Sequence, residues 1–189
     1  MFCLSCHTPT GGSLCPECTA TFRPATERVL AGGIRLVSVF EHDGAAQRLM
    51  HLLKYRGVAE FAELAAQLLE SRVPSLPLVP VPRAMTRRLK YGVDPARVIA
   101  SRLGRRIGAP VVPALVAELH TRRRAGRDHR RAVRPFRARA MAYPEVVVVD
   151  DVVTTGATMA AAIEALGPER VRMAVAANSV SGVSSLPLP

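Results

Sequence analysis

Residues 146–159 run Val-Val-Val-Val-Asp-Asp-Val-Val-Thr-Thr-Gly-Ala-Thr-Met. Four successive valines suit a strand buried on both faces. Asp150 and Asp151 then stand at its carboxyl end, the edge where open α/β sheets bind ligands. Two adjacent carboxylates repel one another there unless they meet hydroxyls, a metal or cations. Thr154, Thr155, Gly156, Ala157 and Thr158 follow, ahead of a helix. Small residues let backbone N–H groups approach an anion, hydroxyls add donors, and the helix dipole favours negative charge. Acids that take a diol beside amides that take a monophosphate fit a ribose 5-phosphate. A blander reading has one threonine capping the helix and Asp150 in a turn; it accounts for one hydroxyl and not for the whole string. The loop has no lysine, and neither G-x-x-x-x-G-K-[ST] nor G-x-G-x-x-G occurs, so P-loop ATPase and dinucleotide-fold readings lose support.

A second constellation opens the chain. Cys3, Cys6, Cys15 and Cys18 form C-x2-C-x8-C-x2-C. Each CxxC turn brings two thiolates toward one metal, and two such turns supply the tetrahedral S4 shell that zinc prefers. Pro9, Gly11 and Gly12 allow the tight return between the pairs. A redox CxxC needs one pair in a thioredoxin-like setting, which is missing. His7 is an alternative ligand by adjacency to Cys6, but reads as a bystander. Four protein ligands leave no open position, so this zinc is expected to staple or dock rather than catalyse. The N-terminus lacks a basic region followed by an apolar run, and no stretch reaches the ~20 apolar residues of a membrane span. A cytoplasmic location with reduced thiols is the expectation.

Charge points to an anionic partner. The 189 residues carry 26 Lys/Arg against 15 Asp/Glu, a net charge of +11, with a pI of about 10.9. The excess is local: residues 83–106 have eight basic side chains and one acid, residues 120–139 nine and one, and the remainder is slightly acidic. Phosphate, pyrophosphate or nucleic acid would be drawn to these segments; the plainer alternative is solvated helix faces. The absence of Trp and the 4% aromatics argue against base reading on an aromatic sheet. The 49% hydrophobic content supports a real core.

The elements that must position these residues follow from periodicity. Strands are expected at 34–40, 78–81, 145–149 and 171–177, with an irregular or edge strand at 111–116 because of Pro113. Helices are expected at 45–54, 58–70, from Asp94-Pro95 to 107, and at 159–166. The arginine-rich 120–139 has no apolar period and reads as loop with at most a helical turn, and the tail from Ser179 as frayed. Alternating strands and helices make an α/β fold, a mainly parallel sheet with flanking helices. Residues 1–24 form a separate zinc-binding knuckle module, which cannot build a core unaided, and 25–189 the main domain.

The Asp-Asp-x-x-Thr-Thr-Gly-x-Thr string resembles the phosphoribosyl pyrophosphate fingerprint of type I phosphoribosyltransferases. With the four-cysteine knuckle, Lys54-Tyr55-Arg56-Gly57 and Pro80-Val81-Pro82-Arg83, the chain from Cys3 to about Ala177 is similar to the ComF family of competence-associated proteins. Two departures stand out. Tyr91-Gly92-Val93-Asp94-Pro95 replaces the common R-G-F-N-Q, and residues 127–136 replace an R-x-x-N-V-x-G-A-F pattern, so a divergent subgroup is implied.

The resemblance implies roles. Asp150 and Asp151 would hold the ribose 2′- and 3′-hydroxyls in concert with Mg²⁺, and residues Thr154 to Thr158 the 5′-phosphate. The turn starting at Arg83 would face the pyrophosphate, with Lys54 and Arg56 as further cations near the phosphates. Residues 120–136 would be the mobile loop that closes over the substrate. Asp128 and His129 are general-base candidates by location alone. The reaction implied is displacement at the anomeric carbon by an unidentified nucleophile. A second function, of a different class, is a single-stranded nucleic-acid-binding accessory factor acting with DNA-uptake proteins, for which the sugar pyrophosphate is a structural or regulatory ligand.

Overall fold

A computed structural model describes residues 1–83, 89–118 and 135–180. Its centre is a five-stranded sheet of β1 (Arg28–Val29), β2 (Arg35–Glu41), β3 (Leu78–Pro80), β6 (Val146–Val153) and β7 (Val171–Ser179), in the order β1-β2-β7-β6-β3. β2, β7, β6 and β3 run parallel, and only the short β1 is antiparallel. The carboxyl ends of four strands therefore share one edge. A separate two-stranded antiparallel ribbon pairs β4 (Leu115–Ala117) with β5 (Phe136–Ala138).

The valine run does what strict alternation requires of a strand covered on both sides. Val147 and Val149 enter one core with Val37, Val175 and the apolar stripes of α2 (Gly44–Arg56), α3 (Glu60–Leu69) and α4 (Pro95–Ile107). Val146 and Val148 enter the other, with Leu36, Ala174, Phe136 and the buried face of α5 (Ala157–Leu166). All four valines are wholly buried, so either core loses packing if the register slips by one residue.

Several boundaries differ from the sequence expectation. β6 runs to Val153, through both aspartates, because its ladder with β7 continues past them (Asp150 opposite Ala176, Val153 opposite Ser179). β7 likewise extends to Ser179, which is buried and in the ladder rather than frayed; residues 181–189 lie outside the described residues. The 111–116 strand is split: Val111 makes one parallel bridge to Leu78, and after Pro113 the chain leaves the sheet to form β4. Residues 136–138, expected as loop, are β5, paired with β4 and anchored by the buried Phe136; the rest of the arginine-rich stretch, 119–134, lies outside the described residues.

The helix at 95–107 forms as its residues dictate. Pro95 occupies the first turn, and the Asp94 carboxylate accepts the Arg97 N–H at 3.5 Å. Gly104 is there for space: a Cβ would lie 2.6 Å from the carbonyl oxygen of Ala109 and 3.2 Å from Val111 Cγ2. Gly104→Ala in an otherwise ordinary helix would stabilise by up to about 1 kcal/mol. Here, urea denaturation is expected to show a loss of about 1–3 kcal/mol, because a backbone carbonyl must move.

The cysteine segment docks on α2. Phe2 bridges Pro9 across the first knuckle, and Cys15 opens the five-residue α1 (Pro16–Ala20), its sulfur accepting the Cys18 N–H at 3.4 Å. Cys3, Cys15 and Cys18 are buried with Ala45, and Leu14 and Phe22 pack beside them. Thr21 Oγ1 accepts the Ala45 N–H at 3.0 Å, and Arg48 Nε donates to Ser5 Oγ at 2.7 Å. No helix among the described residues is long and apolar enough to cross a membrane.

Candidate functional site

A cleft of about 330 Å³ opens at the carboxyl edge of the sheet. Its floor is Asp150, Asp151 and Val152 from β6 and Thr158 from α5. One wall is Val81, Pro82 and Arg83 after β3, with Asp94 and Pro95 opening α4. The end of α2 adds Lys54 and Tyr55, and Glu118 and Phe136 from the β4–β5 ribbon face them. Parallel topology brings these distant segments to one edge.

The acid pair divides its labour. Asp150 is 8% exposed, and its Oδ1 accepts the N–H of Asp151 at 2.8 Å. Burial, then the charge of Asp151, push its carboxyl up to about 8, against smaller opposing effects of the Asp151 amide and Lys54; Asp94 adds to the rise. Asp151 instead meets a cation: Lys54 Nζ lies 3.2 Å from its Oδ2, with both side chains about four-fifths covered. A buried acid that favours its protonated form, beside an ion-paired one, fits a divalent cation plus sugar hydroxyls, since both supply the positive field or donors that would ionise Asp150.

The raised Asp150 carries a stability consequence. The unfolded carboxyl ionises near pH 4 and the folded one near pH 8, so the folded state holds the extra proton between them. Stability from this group therefore falls as pH rises through that window and levels above it. Urea midpoints for Asp150→Asn are expected to fall less between pH 5 and pH 8 than those of the parent; equal slopes would contradict the burial of a protonated acid.

Beyond β6 the chain turns sharply into α5. Gly156, at φ 85°, is in the left-handed region and sits against Leu30, where a Cβ would come 3.5 Å from Cδ2. A side chain is strained at that φ. The first intrahelical bond runs from Ala160 N–H to Gly156 O, leaving the amides of Ala157, Thr158 and Met159 without a carbonyl four residues back. No acid stands in that first turn. Thr154, Thr155, Ala157 and Thr158 are exposed. Among the described residues the one cap-like contact is a long one, Ala157 N–H to Thr155 Oγ1 at 3.4 Å, so capping leaves the Thr154 and Thr158 hydroxyls uncommitted. Arg28, unanticipated from sequence, fixes the loop from outside by donating to the Thr154 carbonyl at 3.0 Å.

The structure thus brings Lys54, Arg83, Asp150, Asp151 and Thr158 to one cleft, with residues 154–157 at its end. Arg56 is exposed and is not among the cleft-lining residues. Asp128 and His129 lie outside the described residues. Glu118 and Phe136 join the lining without a sequence signal of their own; Tyr55 stands in the Lys54–Gly57 motif with no role assigned to it, and Asp94 carries only a helix-capping pattern.

A family model for the phosphoribosyl transferase domain matches residues 53–184. The chain belongs to that family. The match covers the cleft from Lys54 through the 154–158 loop and leaves the cysteine segment outside it. No curated protein matches the chain. Within the matched span the acid pair and the turn at 154–158 adjoin, at the carboxyl end of β6 and the start of α5.

The four cysteines meet as their spacing predicts. Their sulfurs all lie within 4.8 Å of one another, and Cys6 and Cys15 are 3.6 Å apart. A tetrahedral zinc with ~2.3 Å bonds sets sulfurs ~3.8 Å apart, so the cluster fits that ion after small contractions. None of the four is in a disulfide. His7 is exposed and outside the cluster.

Proposed function

We propose that this phosphoribosyl transferase domain binds phosphoribosyl pyrophosphate with Mg²⁺ and transfers the phosphoribosyl group to a nucleophilic acceptor. The observation that carries the reading is the pairing, on one turn, of a largely covered two-carboxylate step with helix amides that have no intrahelical acceptor. Asp150 and Asp151 would hold the ribose hydroxyls and the cation; the amides of 157–159 and the Thr154, Thr155 and Thr158 hydroxyls would hold the 5′-phosphate. Mg²⁺, when bound, supplies charge neutralisation for the departing pyrophosphate. The bond from the anomeric carbon to the pyrophosphate oxygen breaks with its electron pair leaving on pyrophosphate, and the acceptor forms the new bond. Transition-state charge is oxocarbenium-like, so the chain contributes chiefly fixed electrostatics and position. The β4–β5 ribbon, with Glu118 and Phe136 in the cleft wall, is where an acceptor would lie.

The cysteine knuckles and Lys54-Tyr55-Arg56-Gly57 favour a ComF-type protein, a cytoplasmic factor in DNA uptake. In this reading residues 1–24 are a zinc module, with Zn²⁺ on Cys3, Cys6, Cys15 and Cys18. The decisive assay is pyrophosphate release from the sugar pyrophosphate across a panel of bases and amines. Acceptor-dependent release that disappears in Asp150→Asn supports transfer, and release from no acceptor leaves a binding protein.

One observation favours the binding-protein alternative. A groove of about 420 Å³ runs along α4 past Gly92, Ser101, Arg97, Arg102 and Arg105. Arg102 is engaged by Glu63, while Arg97 and Arg105, eight residues apart, share its face. Strand phosphates about 12 Å apart, the rise over eight helical residues, suit such a row, and binding there would weaken steeply with salt.

A further inference from the structure

We propose that Arg83 is a positioning residue, a clasp that ties the end of α2 to the segment before α4 and so sets where Lys54 meets Asp151. This inference deepens the sugar-pyrophosphate reading and rests on it for its effect on ligand. Arg83 follows the Pro-Val-Pro turn that the family resemblance aims at pyrophosphate, and a free guanidinium there would neutralise the leaving group. The guanidinium is not free. Its Nη1 donates to the carbonyl of Lys54 at 2.9 Å and to that of Val93 at 3.2 Å. Its carbon lies 5.0 Å from the ring centroid of Tyr91 and 5.4 Å from that of Tyr55. The two rings contact each other edge to face at 4.8 Å. The backbone N–H of Arg83 also donates to Asp94 Oδ2, at 3.4 Å.

Each contact has a physical purpose. The last carbonyls of a helix lack intrahelical donors, and Arg83 satisfies that of Lys54 near the end of α2. Two rings presenting their faces hold a flat cation in one orientation. Lysine offers the same charge without the plane or the fork. The consequence falls on Lys54, whose carbonyl is held by Arg83 while its ammonium reaches Asp151. Among the described lining residues the cations are these two. With Nη1 of Arg83 committed to carbonyls and its plane held by two rings, Lys54 is the cation left to move to phosphate oxygens when Asp151 turns to the ribose and its cation.

Three variants test this: Arg83→Lys, Arg83→Ala and Lys54→Met. In the ligand-free protein, amide hydrogen exchange in peptides spanning residues 53–58 and 91–94 is expected to accelerate together in Arg83→Lys. Wild-type exchange in both segments would overturn the clasp. Calorimetry with phosphoribosyl pyrophosphate and Mg²⁺ is expected to show Arg83→Lys binding about tenfold more weakly, close to Arg83→Ala, as for loss of hydrogen bonds to a charged group. Arg83→Ala should add little on top of Lys54→Met. Retained affinity in Arg83→Lys, with Arg83→Ala losing inorganic pyrophosphate alone, would make Arg83 a leaving-group cation and overturn the proposal. A wild-type chain that takes up no sugar pyrophosphate refutes the binding reading instead, and the exchange result still decides the clasp.

Discussion

Asp151→Asn is expected to weaken binding of phosphoribosyl pyrophosphate with Mg²⁺ by about a hundredfold or more while leaving the chain folded. The amide keeps the volume of the carboxylate, and its oxygen can still face Lys54 Nζ, now 3.2 Å from Oδ2, so packing at the end of α2 survives. What disappears is one of two negative charges that a divalent cation and a diol require. A charged group lost from such a site costs several kcal/mol, on the order of 10²–10³ in affinity or rate. Removing the Asp151 charge also relieves part of what holds the Asp150 proton, since Asp151 is second only to burial in raising it. Asp150 then ionises at lower pH than in the parent. Unchanged affinity, measured by calorimetry on a variant with parental circular dichroism, would remove these acids from the site.

The other large effect concerns the opposite end of the chain. Cys15→Ser is expected to abolish zinc, from one ion per chain to none by elemental analysis, and to loosen residues 1–24 from α2. Cys15 sits at the hub of that segment. It is 3% exposed, opens α1, and lies 3.6 Å from the sulfur of Cys6. A serine oxygen replaces a thiolate that zinc prefers, and small metal modules lose most of their fold with the ion. The contacts that remain, Thr21 to Ala45, Arg48 to Ser5 and the packing of Leu4, Leu14 and Phe22 on the main core, do not replace the staple that closes the two cysteine turns on each other. Limited proteolysis should cut before residue 24 in the variant and not in the parent. A variant that keeps one zinc per chain would show that the four sulfurs are not the shell.

Much of this arrangement is legible in the residues, and the illegible parts share a cause. The valine ladder, the Asp94-Pro95 helix start and the cysteine knuckles are local signals, and each appears where its period or spacing puts it. β6 extends beyond its apolar stretch because its ladder with β7 protects backbone groups that side-chain polarity hides. β5 is hidden in an arginine-rich stretch, where the partner strand and one buried phenylalanine decide. The site follows the same rule. The turn at 154–158 is written in consecutive residues. The engagement of Arg83 with Lys54, Val93 and the two tyrosines joins segments distant in the chain, and no spacing announces it. A motif reading aims Arg83 at the pyrophosphate, while the fold gives its Nη1 to the carbonyls of Lys54 and Val93. The same holds for the Lys54–Asp151 pair, where two residues assigned separately to phosphate and ribose neutralise each other in the ligand-free chain.

Calorimetric titration of the chain, prepared with added Zn²⁺, against phosphoribosyl pyrophosphate, with and without Mg²⁺, reads the aspartate pair and its turn directly. The expected result is saturable uptake at one site per chain that depends on Mg²⁺ and is competed by ribose 5-phosphate. No uptake under either condition, or uptake indifferent to both Mg²⁺ and ribose 5-phosphate, would contradict a site built from the aspartate pair and the amides of the following turn.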